Sequence, residues 1–377
     1  MLTLVPSVNQ VPRVSIVLPA FNSAETLPGA AASLQAQTMT DWQAVIVNDG
    51  STDHTLAIAK EIATRDERFI VLSQANGGVA AARNAALAII TGAYTLLLDA
   101  DDTLMPKGLE HLLAACRTSA ENAGGSYGDF LMTSTAGTPL LLQRGRADVV
   151  GLEELLGSVF LAVHAVLTPT NFVKRVMFDS SLPVLEDTDW FLRLAELGVT
   201  WQHTSEVVAN YRISPSSRSA DFDQMLAMTN LVYGASYKRR GLDAKGALQI
   251  LLMKATVSYL ARAALRSLTG GVSLDTKEFE ANFAGMLKKF GRLTPLSGTV
   301  VGHLTTTACA LGSCRRPGLN DTVADAIRTW LETCVRVGIM SPDQDQKAEA
   351  WRAIESRLAM LEAWCAQLPQ KVSAATV

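Results

Sequence analysis

The sequence predicts an α/β fold, a mostly parallel sheet flanked by helices, followed by an α-helical C-terminal region. Three observations carry this. Between residues 14 and 98, short apolar or β-branched runs (14–18, 42–47, 69–72, 94–98) alternate with helical stretches (25–37, 55–65, 78–90). Strands buried on both faces read as continuous apolar runs of this kind, and each helical stretch is long enough for the crossover that a parallel pair needs. Beyond residue 220 the pattern changes: apolar residues recur with the 3.6-residue period at Val323, Ile327, Trp330, Leu331, Cys334 and Val335, and again from Trp351 to Leu368.

Composition narrows the function classes. A chain of 377 residues that is 48% hydrophobic and 18% charged holds two or three domains' worth of core. The net charge of −3 makes no global case for nucleic acid, so none is expected as a partner. Five cysteines (Cys116, Cys309, Cys314, Cys334, Cys365) are odd in number and contain no Cys-x-x-Cys pair, which points to reduced thiols in the cytoplasm. The nearest approach to a membrane span, residues 296–314, is rich in Thr and Gly with His303 inside, and reads as no span.

Right-handed crossovers place ligands at the carboxyl ends of parallel strands, so the residues just past each strand are the informative ones. The four strand ends are Pro19-Ala20-Phe21-Asn22, Asn48-Asp49-Gly50-Ser51-Thr52-Asp53, Ser73-Gln74-Ala75-Asn76-Gly77-Gly78 and Asp99-Ala100-Asp101-Asp102. All four fall on one rim. Residues 121–150, rich in Gly, Ser and Thr, read as a partly irregular connection with an edge strand at 129–134. An amphipathic helix over 188–197 and a strand over 207–213 come next, and the serine cluster at 214–219 marks the boundary. The expected domains are therefore 1–215 and a helical 216–377.

The densest chemistry lies at 99–102, where an apolar run ends in three carboxylates. Their desolvation and mutual repulsion are relieved by a divalent cation, which makes Asp99 and Asp101 ligand candidates for a metal or a polar substrate. A solvated strand end capping a helix near Pro106 is the other reading. Asp49 is a carboxylate inside the rim that can accept from a nucleobase N–H, with Gly50 permitting the turn; a plain β-to-α turn with Ser51 or Asp53 capping the helix reads the segment equally well. Arg83 stands amid Ala, Val, Ile and Leu, and a guanidinium there needs a diphosphate or a rim carboxylate, unless it snorkels to solvent. Asp187, in the first turn of the helix headed by Glu186, is held ionised by the helix dipole and so available as a proton acceptor; Asp189 reads as a cap.

Two resemblances compete for these residues. Asp99-Ala100-Asp101-Asp102-Thr103-Leu104 is similar to the nucleophile motif of haloacid-dehalogenase-like phosphohydrolases, which would make Asp99 the nucleophile and Asp101 the acid/base. That family places the motif after its first core strand, whereas three strand–helix units precede it here. The other resemblance covers far more chain. Residues 14–22, 44–53, 76–84, 98–102 and 186–193 resemble, in order and spacing, the inverting family 2 glycosyltransferases of GT-A fold. It implies transfer of a hexosyl or N-acetylhexosaminyl group from a nucleotide-diphosphate sugar, usually a UDP-sugar, with Mn²⁺ or Mg²⁺. It further implies that Pro19, Phe21 and Asn22 line the base pocket, that Asp49 contacts the uracil and that Arg83 faces the nucleotide. Asp99 would contact the ribose region, Asp101 hold the metal and Asp187 act as base. The acceptor would be a glycan or lipid-linked saccharide, in bacterial cell-surface polysaccharide synthesis. A nucleotide-sugar-binding protein without turnover is the non-enzyme alternative.

The chain departs from that pattern in places. Ser214 stands where many relatives have a metal-proximal His, which would leave water to complete the metal's shell, and Asn48 stands where Asp is common. His203 reads as structural rather than as a substitute ligand. Outside the match, residues 238–266 carry Lys238, Arg239, Arg240, Lys245, Lys254, Arg262 and Arg266 against Asp243, a local charge of +6. This cationic stretch suggests peripheral contact with anionic lipid at the inner face of the cell membrane; a helix packed on the catalytic domain with solvated basic flanks reads it as well.

Overall fold

The computed structural model describes residues 12–116, 124–137, 139–145, 147–156, 161–213 and 222–242. The chain divides into two compact units, one of Met1–Phe130, Arg144–Leu155 and Val159–Asn210, the other of Leu131–Gln143, Leu156–Ser158 and Tyr211–Val377.

The first unit opens with the expected alternation: β1 (Val14–Ala20), α1 (Leu27–Gln35), β2 (Trp42–Asp49), α2 (Thr55–Arg65), β3 (Phe69–Gln74), α3 (Gly78–Leu87) and β4 (Tyr94–Leu97). β1 is buried along its whole length and β2 nearly so, as their unbroken apolar runs require. Val14, Ile16, Val17, Leu18, Ala44, Val45, Ile46 and Val47 have no exposed surface; each large one contributes about 1.5–3 kcal/mol by its removal from water. β1 pairs in parallel with β2 and β4, and β2 with β3, giving the order β3-β2-β1-β4. The carboxyl ends of these four strands therefore share one edge.

Beyond β4 come β5 (Thr103–Leu104), α4 (Gly108–Cys116), β6 (Gly124–Thr133), β7 (Pro139–Gln143), β8 (Val149–Val150), α5 (Leu152–Leu156), β9 (Val166–Pro169), α6 (Thr170–Val173), α7 (Glu186–Glu196), β10 (Thr200–Arg212) and α8 (Phe222–Arg239). Here the sheet becomes mixed, continuing β4-β9-β6-β10-β5, with β9 antiparallel to β4 and to β6, and β10 antiparallel to β5. The architecture is the α/β sheet with flanking helices that the strand–helix alternation predicts.

One segment differs in kind from its expectation. Residues 124–133 form a strand buried throughout and flanked by β9 and β10, not an irregular stretch leading to an edge strand. Its glycines, which read as turn signals, are there for close packing. A Cβ on Gly125 would lie 2.4 Å from the Leu167 carbonyl oxygen, and one on Gly128 would lie 2.6 Å from Val208. Within the region expected to be helical, 216–377, the described residues form α8; residues 243–377, with the periodic stretches at 323–368, the 296–314 segment and most of the cationic stretch, lie outside the described residues. No helix among the described residues is long and apolar enough to cross a membrane.

Candidate active site

The first two loops of the rim are stapled to each other. Asn22 takes a left-handed conformation (φ 48°), one that Asn tolerates. Its side-chain oxygen accepts from the Thr52 backbone N–H at 2.8 Å, while its own N–H donates to Ser51 Oγ at 3.0 Å. Ser23 N–H donates to Thr55 Oγ1 and Ala24 N–H to Asp53 Oδ2, and Asp53 Oδ1 accepts from the Thr55 N–H that starts α2. Asp53 thus has the capping role that the sequence left open. Pro19 is buried in β1, but Phe21 directs an apolar ring to solvent, 49% exposed, beside this staple.

The third loop is fixed from beneath. Asp49 is buried at the end of β2, and its carboxylate accepts from Gln74 Nε2 at 2.8 Å, Gly77 N–H at 2.9 Å and Gly78 N–H at 2.8 Å. It therefore satisfies backbone donors at the start of α3, a task nothing in its own segment announces. Gly50 is obligatory: its φ is +72°, and a Cβ there would lie 2.6 Å from the Asn76 backbone nitrogen.

The fourth strand end and α7 meet on α3. Arg83 is 1% exposed, and its guanidinium donates from one terminal nitrogen to Asp99 Oδ1 at 2.9 Å and from the other to Glu186 Oε1 at 3.0 Å. Its carbon lies 5.3 Å from the Phe178 ring centroid. Of the anions considered from sequence, rim carboxylates are the ones it meets, and it does not snorkel. Burial opposes its charge, but Asp99, Glu186 and Asp187 together outweigh that and raise its pKa. The adjacent Asn84 exchanges two hydrogen bonds with the backbone of Phe178, at 2.8 and 3.0 Å, and Phe178 stacks on Trp190 of α7. One helix thus grips both the Asp99 turn and the approach to α7.

α7 begins after Leu185, another non-glycine residue in the left-handed region (φ 62°). Glu186 turns inward to Arg83, whereas the half-buried Asp187 accepts from the Thr188 N–H at 2.6 Å. Surrounding protein and the neighbouring Glu186 push Asp187 up to about 6, against the pull of Arg83. The helix dipole therefore does not set its pKa, contrary to the sequence expectation, although the group stays largely ionised above pH 6. Asp189 pairs with Arg193 one turn on rather than capping the helix.

At 99–102 the carboxylates diverge. Asp101 is exposed, yet the protein around it and the charges of Asp102 and Asp99 push it up to about 7. Asp102 is buried, 2.9 Å from His164 Nδ1. Among the described residues, no three His, Cys, Asp or Glu side chains converge as a closed metal cage. Ser214 lies outside the described residues.

The sequence model described as Glycosyl transferase family 2 matches residues 15–146, which span this rim from β1 through the acidic turn. Residues 15–146, about a third of the chain, carry the pattern of glycosyl transferase family 2. The chain is 41% identical over 103 residues to the hyaluronan synthase of Pasteurella multocida, a match covering 27% of this chain and 11% of that protein. It is 30% identical over 205 residues to the chondroitin synthase of Escherichia coli, covering 54% of this chain and 29% of that one. With TuaG of Bacillus subtilis, a glycosyltransferase named for teichuronic acid biosynthesis, it shares 26% identity over 226 residues, 60% of this chain and 88% of the relative. Among solved structures it is similar to Staphylococcus aureus TarS 1–349 in complex with UDP-GlcNAc (16% identity, TM-score 0.47, covering 86% of this chain and 92% of that one). The matched region spans only about a tenth of the hyaluronan synthase.

Three contacts of the site carry no mark in the sequence: Glu186 as partner of Arg83, Asn84 as the tie to Phe178, and His164 against Asp102. Each joins residues 62 or more positions apart in the chain, so no local pattern marks them. His203 is held by Asp129 at 2.8 Å, in keeping with a structural role.

Proposed function

We propose that the glycosyltransferase moves a hexosyl or N-acetylhexosaminyl group from a nucleotide-diphosphate sugar, a UDP-sugar, to a glycan or lipid-linked acceptor, with inversion, in bacterial cell-surface polysaccharide synthesis. One observation carries this reading: two acidic clusters, 99–102 and 186–187, stand on either side of a single buried guanidinium. A displacement at an anomeric carbon needs a base on the acceptor side and charge neutralisation on the leaving diphosphate, and the clusters supply one each. Asp187, pushed up to about 6, has the pKa of a base working near neutral pH. It takes the acceptor hydroxyl proton as that oxygen bonds to the anomeric carbon and the bond to the diphosphate oxygen breaks, releasing UDP. Phe21 offers an exposed ring for a base to stack on, with Pro19 and Asn22 beside it, and Asp99 lies toward the ribose. Asp49, with three internal donors, keeps acceptor capacity for one uracil N–H.

The residues fit a divalent cation, Mn²⁺ or Mg²⁺, held jointly with the donor. Asp101 is exposed and its ionisation is suppressed by neighbouring carboxylates, the condition a cation relieves. Hard cations at phosphate sites use one or two carboxylates with phosphate and water for the rest, so no closed cage is needed. When bound, the cation would stabilise the leaving diphosphate.

Catalysis is assigned to 1–215, in the cytoplasm, with 216–377 as the helical domain and 238–266 as its contact with the inner face of the membrane. The test is a screen of nucleotide sugars with Mn²⁺ and saccharide acceptors, read as UDP or GDP release and product formation. Transfer by Asp187→Asn at the wild-type rate removes Asp187 as base. Binding of UDP-sugar with neither transfer nor hydrolysis makes the chain a binding protein. The phosphohydrolase reading is disfavoured by the family match; it would require phosphate release from simple phosphomonoesters.

A further inference from the structure

The pair Asp102–His164 has no part in the proposed transfer. Asp102 is the third carboxylate in four residues, and its side chain has no exposed surface, whereas that of Asp101, one residue before, reaches solvent. A buried carboxylate is stable only when partnered, and His164 Nδ1 stands 2.9 Å from Oδ2 with its own side chain 3% exposed. His164 is itself held: its ring meets Phe130 of β6 edge-on, centroids 5.0 Å apart, and it lies in the 3-10 turn Val163–Ala165 that leads into β9, the antiparallel neighbour of β4. On the other side, the Asp102 N–H donates to the Asp99 carbonyl at 3.0 Å and closes the turn that carries Asp101. Asp102 is thus set through its carboxylate against the turn that leads into β9 and tied through its backbone to Asp99, and Asp101 is the residue before it in the same turn.

We propose that His164 is a positioning residue: by holding Asp102 inward it fixes the direction in which Asp101 presents its carboxylate to a divalent cation. The inference rests on the reading of Asp101 as the cation's protein ligand. Without His164, the buried Asp102 carboxylate loses the imidazole 2.9 Å from its Oδ2, and the turn loses an anchor that separates its inward from its outward carboxylate. Outer partners of this kind set metal affinity by orienting the ligand rather than touching the ion, and their loss weakens binding about 10- to 100-fold.

The experiment uses the full chain and Mn²⁺ alone, with no donor sugar, following free Mn²⁺ by its EPR signal and stability by thermal unfolding in EDTA. H164L is expected to bind Mn²⁺ about 10- to 100-fold more weakly, while H164N, which keeps an N–H for Asp102, stays near the wild type. If H164L fails to fold, D102N/H164L, which leaves no buried charge, is read the same way. Wild-type Mn²⁺ affinity in folded H164L or in the double variant, whatever its melting temperature, makes the pair structural only and overturns the inference while the metal reading stands. Undiminished binding by D101N, or no binding by the wild type, overturns the metal reading and the inference with it.

Discussion

Replacing Arg83 by methionine keeps the apolar stem and removes the guanidinium that joins the two acidic clusters. On the Glu186 side both partners are buried, with side chains 2% and 5% exposed, so the variant leaves an uncompensated carboxylate in the protein interior. Breaking a buried pair from one side costs about 3–5 kcal/mol. Asp99, whose side chain is 29% exposed, relaxes into solvent and adds little. At about 2–4 °C per kcal/mol for a domain of 150–250 residues, the melting temperature should fall by roughly 6–20 °C. Activity should move separately. Arg83 holds Asp187 below where burial and Glu186 would put it, so R83M raises that pKa above about 6 and shifts the acid limb of the kcat–pH profile to higher pH. R83K keeps a charge but not the fork, and should recover the pH profile better than the stability. Urea unfolding and pH-rate profiles of both variants make the check. R83M within about 1 kcal/mol of the wild type, with an unmoved acid limb, would refute the linkage.

Phe21→Ala should leave stability within about 0.5 kcal/mol, because the ring is already half in solvent, yet weaken UDP binding about tenfold by calorimetry through lost base stacking. Asp49→Asn puts an NH₂ against N–H donors of Gln74, Gly77 or Gly78 and should destabilise by about 2–4 kcal/mol in urea unfolding, raising KM for the donor as the loop moves. Asp187→Asn should lower kcat by about 10²- to 10⁴-fold while raising stability at pH 8. Its sign comes from a folded pKa near 6, above the ordinary 3.8: the ionised group opposes folding above pH 6 and no longer does so below about 4. The gain, at most about 3 kcal/mol, should therefore fade as pH falls from 6 to 4 in thermal scans.

The parallel half of the fold was legible because β1, β2 and β4 are buried almost throughout, so their sequences are unbroken apolar runs ending in polar loops, while β3, at the sheet edge, is only partly buried. The acidic cluster at 99–102 was legible for the same reason, as charge abutting such a run. β6 was not, since three of its first five residues are glycines whose purpose is the approach of Leu167, Trp201 and Val208. Nor was the division of labour among acids. Asp101 and Asp102 are adjacent and chemically identical, and nothing in their own segment tells that Asp102 is buried against His164, 62 residues on, while Asp101 is exposed. Arg83 shows the limit most clearly. Its need for an anion could be read from its apolar neighbours, but Glu186, 103 residues away, could not be singled out from the other carboxylates.

Two features of the α7 entrance point the same way energetically. Leu185 holds a left-handed conformation that costs a non-glycine residue about 1–3 kcal/mol, and Asp187 is kept where its ionised form is disfavoured. Either would be relieved by a small change, a glycine at 185 or an amide at 187. The strained turn sends Glu186 inward to Arg83 and leaves the next residue half-buried, and that second environment is what brings Asp187 into the range of a base. The strain and the raised pKa are thus linked consequences of one chain direction at Leu185. They persist because α3, through Arg83 and Asn84, and the Phe178–Trp190 stack hold that direction from the rigid side of the sheet. Stability is given up at the entrance to α7 and supplied by the buried strands beneath the rim, which is the distribution expected where a site must be set before its substrate arrives.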